Sequence, residues 1–360
     1  MTESDVSGPG MMESMTDQEQ VFDPLDRRLV QALMVDGRAA FSRIAAVLGT
    51  TDQTVIRRYR RLRGAGLLRV LGLPEGERVG LYESRLRIQC VPGAAVAIAE
   101  ALARRPDTGW VKIFSGGTEV GCLVSSRTRE DHEALLLRKL PRTQQVTGVT
   151  AQTMLHEYTG SSNRWVRRDG LTPEQIAALQ PAPAPAGDGG DGDGESNEGS
   201  DGIVRLDAAD DAMLAVLARD GRAGYPELAK AAGRSESTVR RRIEYLRGSG
   251  ALSFDVEVHS AHLGFGIEAG ISATVAPSEL AAVGRALAEH PQVPFVAAVT
   301  GAANLVATVL CRDQRDLYRY MTEGIGRLTA VHRLEVLPVL RQVKRAGLLT
   351  DGNRLFDAPA

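Results

Sequence analysis

The chain has 360 residues, of which 43% are apolar, 24% charged and only 4% aromatic. That composition fits two to four folded domains at roughly 100–150 residues each and excludes a disordered, collagen-like or disulfide-stapled chain. The net charge of −2 conceals a lopsided basic set, since only Lys112, Lys139, Lys230 and Lys344 among its 43 basic residues are not arginine. Cys90, Cys122 and Cys311 are odd in number and far apart, which excludes a disulfide framework or a CxxC metal motif and points to a reducing compartment. No apolar run reaches the ~20 residues of a membrane span. Residues 1–22 are polar and acidic, without signal-peptide character, and are expected to form a disordered tail on a cytoplasmic protein.

From Asp26 the chain begins a segment that it later repeats. Asp26–Leu68 aligns without a gap to Asp210–Leu252 at an offset of 184, and both copies carry the same tetrapeptide, Asp36-Gly37-Arg38-Ala39 and Asp220-Gly221-Arg222-Ala223. Beyond this the offset becomes 185, with Pro92, Pro106, Gly116, Arg127 and Asp131 falling on Pro277, Pro291, Gly301, Arg312 and Asp316. Two copies at so long a period read as a fused tandem of one module, not as a solenoid.

In each copy the first three elements read as helices. Leu29, Val30, Leu33 and Met34 recur at helical spacing before the glycine stop at Gly37, and a short helix Phe41–Leu48 ends at Gly49. Thr51 is placed to cap a third helix running to about Arg63, and Ser235 its counterpart in copy two. Two short helices around a glycine turn, behind a supporting helix, describe a helix-turn-helix. On a helical wheel Val55, Tyr59 and Leu62 face the core, as do Val239, Ile243 and Leu246. The opposite faces carry Gln53, Arg57 and Arg60 in copy one and Ser237, Arg241 and Glu244 in copy two, flanked by Arg61 and Arg240. Copy one's helix holds five arginines against Asp52 and is expected to supply the larger electrostatic share. Arginine forks match guanine edges and phosphates, and such a helix enters the major groove of double-stranded DNA.

These residues resemble the helix-turn-helix of the Lrp/AsnC (feast-famine) transcription regulators, most closely in the copy-two run SESTVRRRIEYLRGSGAL. By position Arg58 and Arg242 occupy the family arginine, and Thr54-Val55 and Thr238-Val239 the family Thr-Val pair. The resemblance implies DNA contacts from Gln53, Thr54, Arg57, Arg58 and Arg61, and from Ser237, Thr238, Arg240, Arg241 and Arg242. Copy one departs from the pattern at Thr51, Asp52 and Tyr59.

After each helix-turn-helix the pattern runs β-α-β-β-α-β. In copy two this is Ile267–Ala276, Ser278–His290, Phe295–Thr300, Asn304–Leu310, Gln314–Gly324 and Val331–Leu340. Copy one matches with Arg85–Val91, Ala94–Arg104, Trp110–Phe114, Val120–Val124, Arg129–Leu137 and Val149–Leu155. The fold class expected is therefore α+β: two tri-helical helix-turn-helix domains alternating with two ferredoxin-like (βαββαβ) domains. The resemblance implies that the latter are sensors which pair sheet to sheet and bind a small effector such as an amino acid at the turn between their second and third strands. Those turns contain Gly116, Gly117 and Glu119 in copy one and Gly301, Ala302 and Asn304 in copy two. Glu119, as an anion, is expected to attract an effector ammonium.

The domains expected are a tail at 1–22, helix-turn-helix domains at 23–68 and 206–252, and sensors at 69–158 and 253–345. An amphipathic segment and acidic linker fill 159–205, and a C-terminal tail 346–360. The linker sequence from Pro181 to Gly202 has no base and no large apolar residue, so it reads as a flexible tether. One chain acting as a pseudo-dimer and fused chains pairing into larger rings both stay open. No catalytic residue, cofactor, metal or membrane partner is expected; His259-x-x-His262 lacks partners at metal spacing and reads as surface histidine. The alternative is an enzyme: sirohaem decarboxylases look like Lrp/AsnC proteins, sometimes as two fused copies, but their aromatic second-half motif is replaced here by FVAAVTGAANLVATVL.

Overall fold

The structure, a computed structural model, describes residues 22–114, 116–136, 144–159, 170–180 and 202–357. Copy one opens with α1 (Pro24–Val35), α2 (Phe41–Leu48) and α3 (Asp52–Gly64). The side chain of Asp23 accepts the Asp26 amide while that of Asp26 accepts the Asp23 amide, a capping box that fixes the start of α1. Gly49, at φ 66°, ends α2 in the left-handed region. Thr51 caps α3 as expected, accepting the Thr54 amide at 3.3 Å. Leu29, Leu33, Ile44, Val55 and Leu62 close the core between the three helices.

Next come β1 (Arg69–Pro74), the single turn α4 (Gly76–Val79) and β2 (Tyr82–Cys90). The copy then continues through α5 (Ala95–Ala103), β3 (Thr108–Phe114), β4 (Glu119–Ser126), α6 (Arg129–Ala134) and β5 (Val146–Glu157). A short helix, α7 (Pro173–Leu179), precedes copy two. Copy two repeats the plan with α8 (Ala208–Leu217), α9 (Tyr225–Ala232), α10 (Glu236–Gly248) and β6 (Leu252–Glu257). It continues with β7 (Ile267–Val275), α11 (Leu280–Ala288), β8 (Phe295–Val299), β9 (Leu305–Cys311), α12 (Gln314–Arg319) and β10 (Val331–Arg345).

Three strand pairings join the copies, β1 with β6, β5 with β8 and β10 with β3. β1 and β6 form an antiparallel ribbon directly after α3 and α10, with Arg69 opposite Glu257 and Pro74 opposite Leu252. The other strands close a ring, β3-β4-β2-β5 followed by β8-β9-β7-β10 and back to β3. The last strand of each copy is long enough to serve both halves. β5 lies along β2 as far as Thr153 and reaches β8 from Met154, while β10 lies along β7 to Pro338 and along β3 from Val339. One face of each half is covered by its helices, through Ile98 and Leu102 on Leu86 and Val111, and through Val283 and Leu287 on Ile271 and Val296.

Several expectations need correction. Residues 346–360 are not simply a tail: β11 (Leu348–Asp351) and β12 (Arg354–Phe356) extend the sheet as a hairpin, and the Leu355 amide donates to the Gly66 carbonyl at 2.7 Å. Within 159–205, α7 docks on the first helix-turn-helix. Arg43 donates to the Ala178 and Gln180 carbonyls at 2.7 Å each, satisfying helix-end acceptors, and Leu179 is buried. Phe22, assigned to the tail, is buried and stacks on His262 at 5.4 Å; residues 1–21 and the linker segment 181–201 lie outside the described residues. His259 and His262 are half-buried, not surface groups, and burial pushes the His259 imidazole down to about 4. Among the described residues no helix is long and apolar enough to cross a membrane and no group of three or more His, Cys, Asp or Glu side chains is placed to hold a metal.

Candidate nucleic-acid interface and sensor turns

The reading helices α3 and α10 are each strutted to the supporting helix in front of them. Arg242 bonds both oxygens of Asp210, at 3.0 and 2.7 Å, and the Arg205 carbonyl at 2.9 Å. In copy one Arg58 bonds Asp26 at 2.9 Å and also Asp23, and Arg61 takes the other oxygen of Asp26. Asp26 and Asp210 are buried and already belong to capping boxes of α1 and α8. A buried carboxylate needs a cation, and the arginine at the middle of the reading helix supplies it. The structure therefore gives Arg58 and Arg242 a different job from the DNA contact that the resemblance implies: their guanidinium groups are spent inside the domain.

Other assigned side chains are also partly committed. The hydroxyls of Thr54 and Thr238 bond those of the caps Thr51 and Ser235, at 3.0 and 2.8 Å, and Ser237 bonds Ser235 at 2.9 Å. Arg63 crosses to Asp220 of the other copy at 2.8 Å. The exposed side chains of α3 are those of Asp52, Gln53, Arg57, Arg60 and Arg61, the last still about half exposed while paired to Asp26; among the described residues no hydrogen bond or ion pair engages Arg57 or Arg60. On α10 the exposed residues include Ser237, Arg240, Arg241, Glu244 and Tyr245, with Arg240 lying over the Tyr225 ring at 4.2 Å. Arg58, Arg61 and Arg63 are thus ion-paired within the protein, while Arg57 and Arg60 on α3 and Arg240 and Arg241 on α10 have no ion pair among the described residues.

The repeated Asp-Gly-Arg-Ala corner, read from sequence only as a helix stop, joins the two helix-turn-helix domains. Arg38 donates to the Gly221 and Ala223 carbonyls at 2.7 and 3.1 Å, and Arg222 returns the pair to Gly37 and Ala39 at 2.5 and 2.8 Å. Arg222 lies 4.1 Å from the Phe41 ring centre and Arg38 5.2 Å from that of Tyr225. Each aspartate takes the arginine amide of its own corner, Asp36 from Arg38 at 3.0 Å and Asp220 from Arg222 at 2.9 Å, and pairs with Arg247 or Arg63 across the junction. Gly221 is required by contact: a β-carbon there would stand 2.7 Å from the Leu71 carbonyl carbon of the ribbon. The signal was in the sequence, as four consecutive identities, but only the partner surface reveals their use.

The sensor turns are more closed than expected. Gly301 (φ 104°), Gly116 (φ 90°) and Gly117 (φ 63°) occupy conformations that favour glycine. Asn304 is not free for an effector: its oxygen accepts the Val275 amide at 2.9 Å and its nitrogen donates to the Val275 carbonyl at 2.8 Å. Gln152, from the other copy, donates to the Thr300 and Ala303 carbonyls at 3.2 and 2.9 Å, and Ala302 accepts from Thr274 at 2.9 Å. Glu119 is held by both arms of Arg87 at 2.7 and 2.9 Å, and Arg87 reaches across to Glu335 at 2.6 and 3.0 Å. Both of its oxygens are already engaged by Arg87, so Glu119 is not the unpaired anion expected to draw an effector ammonium.

Between the ribbon and the sheet ring lies a cavity of about 800 Å³ whose lining includes Trp110, Phe295, Lys112, Glu268, Arg345 and three acids, Glu75, Glu83 and Glu157. Lys112 is paired to Glu268 at 2.6 Å and Arg345 to the buried Glu257. Burial pushes the three acids up, Glu157 to about 8.

Comparison with known proteins fits this geometry. An AsnC-type helix-turn-helix domain matches twice, at residues 22–63 and 206–247, and an Lrp/AsnC ligand binding domain matches residues 268–349. An uncharacterised HTH-type transcriptional regulator of Pyrococcus abyssi is 32% identical over 145 residues, which is 40% of this chain and 91% of the relative. The chain belongs to the Lrp/AsnC family. The HTH-type transcriptional regulator FL11 of Pyrococcus horikoshii is 29% identical over 39% of this chain and 93% of its own length. Each relative thus corresponds to about one copy, and this Lrp/AsnC-type transcription regulator carries the helix-turn-helix twice. A solved structure of the siroheme decarboxylase NirDL shares the fold over 90% of this chain and 93% of its own, at a TM-score of 0.56 and 13% identity.

Proposed function

We propose that the chain is a sequence-specific double-stranded DNA-binding regulator that reads an operator with α3 and α10 of one molecule, as a covalent pseudo-dimer, under control of a small effector. Each half of the strand ring acts as a ferredoxin-like sensor. The observation that carries this reading is the equivalent outward placement of Arg57 and Arg241 on two helices that are joined by the ribbon and by the corner contacts. Arg57→Ala and Arg241→Ala are each expected to weaken binding by about 1–3 kcal/mol where the arginine reads a base, or to lower the salt slope by about one where it holds a phosphate. Mobility shifts of duplex DNA across a salt series measure this, and wild-type affinity in the double variant overturns it.

For the effector, the side chains of Glu119 and Asn304 drop out as recognition groups, and the backbone of the glycine turns remains. An amino-acid carboxylate at the amides of Gly301 and Ala302 is the contact we favour. Calorimetric titration with an amino-acid panel is expected to give heat with the wild type and none with Gly301→Val, which forces a branched residue to φ 104°. Equal heats in both proteins move the contact elsewhere.

The full-length fold match to the siroheme decarboxylase, solved also with an iron-uroporphyrin III analogue, raises an enzyme as the second reading. The cavity has the volume for a tetrapyrrole, and its wall mixes the bases Arg78, Arg85, Lys112, His156 and Arg345 with acids that include Glu75, Glu83 and Glu157. Lys112 and Arg345 are already bound to acids of the chain, and the two matches to an AsnC-type helix-turn-helix favour the regulator. A Soret band after incubation with sirohaem, from protein that leaves duplex DNA unshifted, reverses this choice.

A further inference from the structure

Several contacts hold the two copies together, among them the Arg63–Asp220 and Arg247–Asp36 pairs, the bond from the Gly221 amide to the Val70 carbonyl and the packing of Val256 on the first helix-turn-helix. Two attachments bear directly on how the reading helices are oriented. The ribbon of β1 and β6 joins them behind the ends of α3 and α10. A two-stranded ribbon is by itself the most strongly twisted and least rigid form of sheet, so each helix-turn-helix attached to it alone is able to pivot. The second attachment is the reciprocal pair of arginine forks, Arg38 on the Gly221 and Ala223 carbonyls and Arg222 on those of Gly37 and Ala39.

We infer that Arg38 and Arg222 set the half-site spacing that this protein accepts: they are positioning residues that turn two tethered readers into one rigid ruler. This rests on the DNA-binding reading above and adds to it the residues that fix the geometry.

The chemistry is specific to arginine. Each guanidinium spans two carbonyls two residues apart in the facing corner, and both are stacked against rings, Arg38 against Tyr225 and Arg222 against Phe41. A lysine keeps the charge but is a point donor without a planar fork, so it cannot hold both carbonyls in one orientation. The hydrogen-bond acceptors are backbone carbonyls, and the Arg63–Asp220 and Arg247–Asp36 pairs, at 2.8 and 3.0 Å, flank the same corners. Because the ruler is built from two copies of one tetrapeptide, cutting either arginine removes half of it.

The test uses the full-length protein and a random-sequence duplex library, from which the wild type selects its best site. Affinity is then measured for that site and for versions with one to ten base pairs inserted between its halves. For the wild type a half-turn insertion is expected to cost about tenfold or more, since it rotates one half-site to the opposite side of the duplex. In Arg38→Lys/Arg222→Lys the parent site is expected to weaken by about tenfold, while the further loss on insertion falls to about threefold or less. The single variant Arg38→Lys, which keeps the two bonds of Arg222, is expected to lie between, and serves where the double variant does not fold. Circular dichroism and binding to an isolated half-site are expected to stay at wild-type values in either variant. A variant that folds and keeps the wild-type spacing profile overturns this inference alone. Wild-type protein that selects no duplex overturns the DNA reading and takes this inference with it.

Discussion

Arg242→Ala is expected to unfold the second helix-turn-helix at a denaturant concentration well below that of the wild type, with a loss of about 3–5 kcal/mol. The reason is the environment left behind. Asp210 is 3% exposed and holds Arg242 at 2.7 and 3.0 Å. The same pairing holds the Arg242 guanidinium charged, above its ordinary range, chiefly through the Asp210 hydrogen bonds. Removing the cation strands a buried carboxylate, whose desolvation is no longer offset. Asp210→Ala costs less than this on the electrostatic side but also breaks the α8 capping box, worth about 1 kcal/mol. Urea unfolding followed at α-helical wavelengths, for the two single variants and Arg242→Leu/Asp210→Leu, separates the terms. The double variant is expected to be less damaging than Arg242→Ala, because both charges leave together. A fully stable Arg242→Ala with lost DNA binding contradicts the strut assignment and returns Arg242 to the interface.

That experiment also marks where the sequence stopped being informative. Helix and strand positions were legible because the 3.6-residue and two-residue periods of buried side chains are local properties. The α2 limits, the Thr51 and Ser235 caps and the start of β7 stand where periodicity and capping chemistry put them. A family arginine on a reading helix, by contrast, looks the same in sequence whether it points to DNA or back to Asp210. Its direction depends on helical phase against a neighbour 32 residues away. The Asp-Gly-Arg-Ala corner was visible as identity and invisible as a clasp, because its acceptors are backbone carbonyls, which every sequence has. Glu119 was legible as a charge, but Arg87, held also by Glu335 more than two hundred residues away, already engages its oxygens. The hairpin at 348–356 was missed for a simpler reason: its strands are three or four residues long, too short to show alternation.

The contribution of Glu157 to stability is expected to fall as pH rises from about 4.5 to about 8, and Glu157→Gln is expected to remove that slope. Burial is the main cause that holds the Glu157 carboxyl up to about 8 against an ordinary 4.5; Glu75, Glu83 and Asp255 push the same way, and the Thr159 hydroxyl, at 2.9 Å, opposes them. Between those two values the folded chain keeps a proton that the unfolded chain has released. Stability is therefore greatest below about 4.5 on this account, declines through the interval and is level above about 8. At ~1.4 kcal/mol per pH unit the effect is capped on the order of 5 kcal/mol. Glu75 and Glu83, also raised by burial, add in the same direction. Asp207 and Glu335 act oppositely, since hydrogen bonds lower both and their contributions vanish as pH falls through the carboxylate range. The half-buried His259 imidazole, held down to about 4, also acts oppositely between that value and its ordinary 6.5, where the unfolded chain takes up a proton that the folded chain does not. The decline due to Glu157 is therefore expected to dominate above about 6.5. Glutamine keeps the shape and cannot ionise, so thermal midpoints of Glu157→Gln are expected to match the wild type near pH 5 and to exceed it by several degrees near pH 8.5. Equal midpoints at pH 8.5 would show that Glu157 is ionised and solvated in the folded protein, and that the cavity wall beside the ribbon is wet.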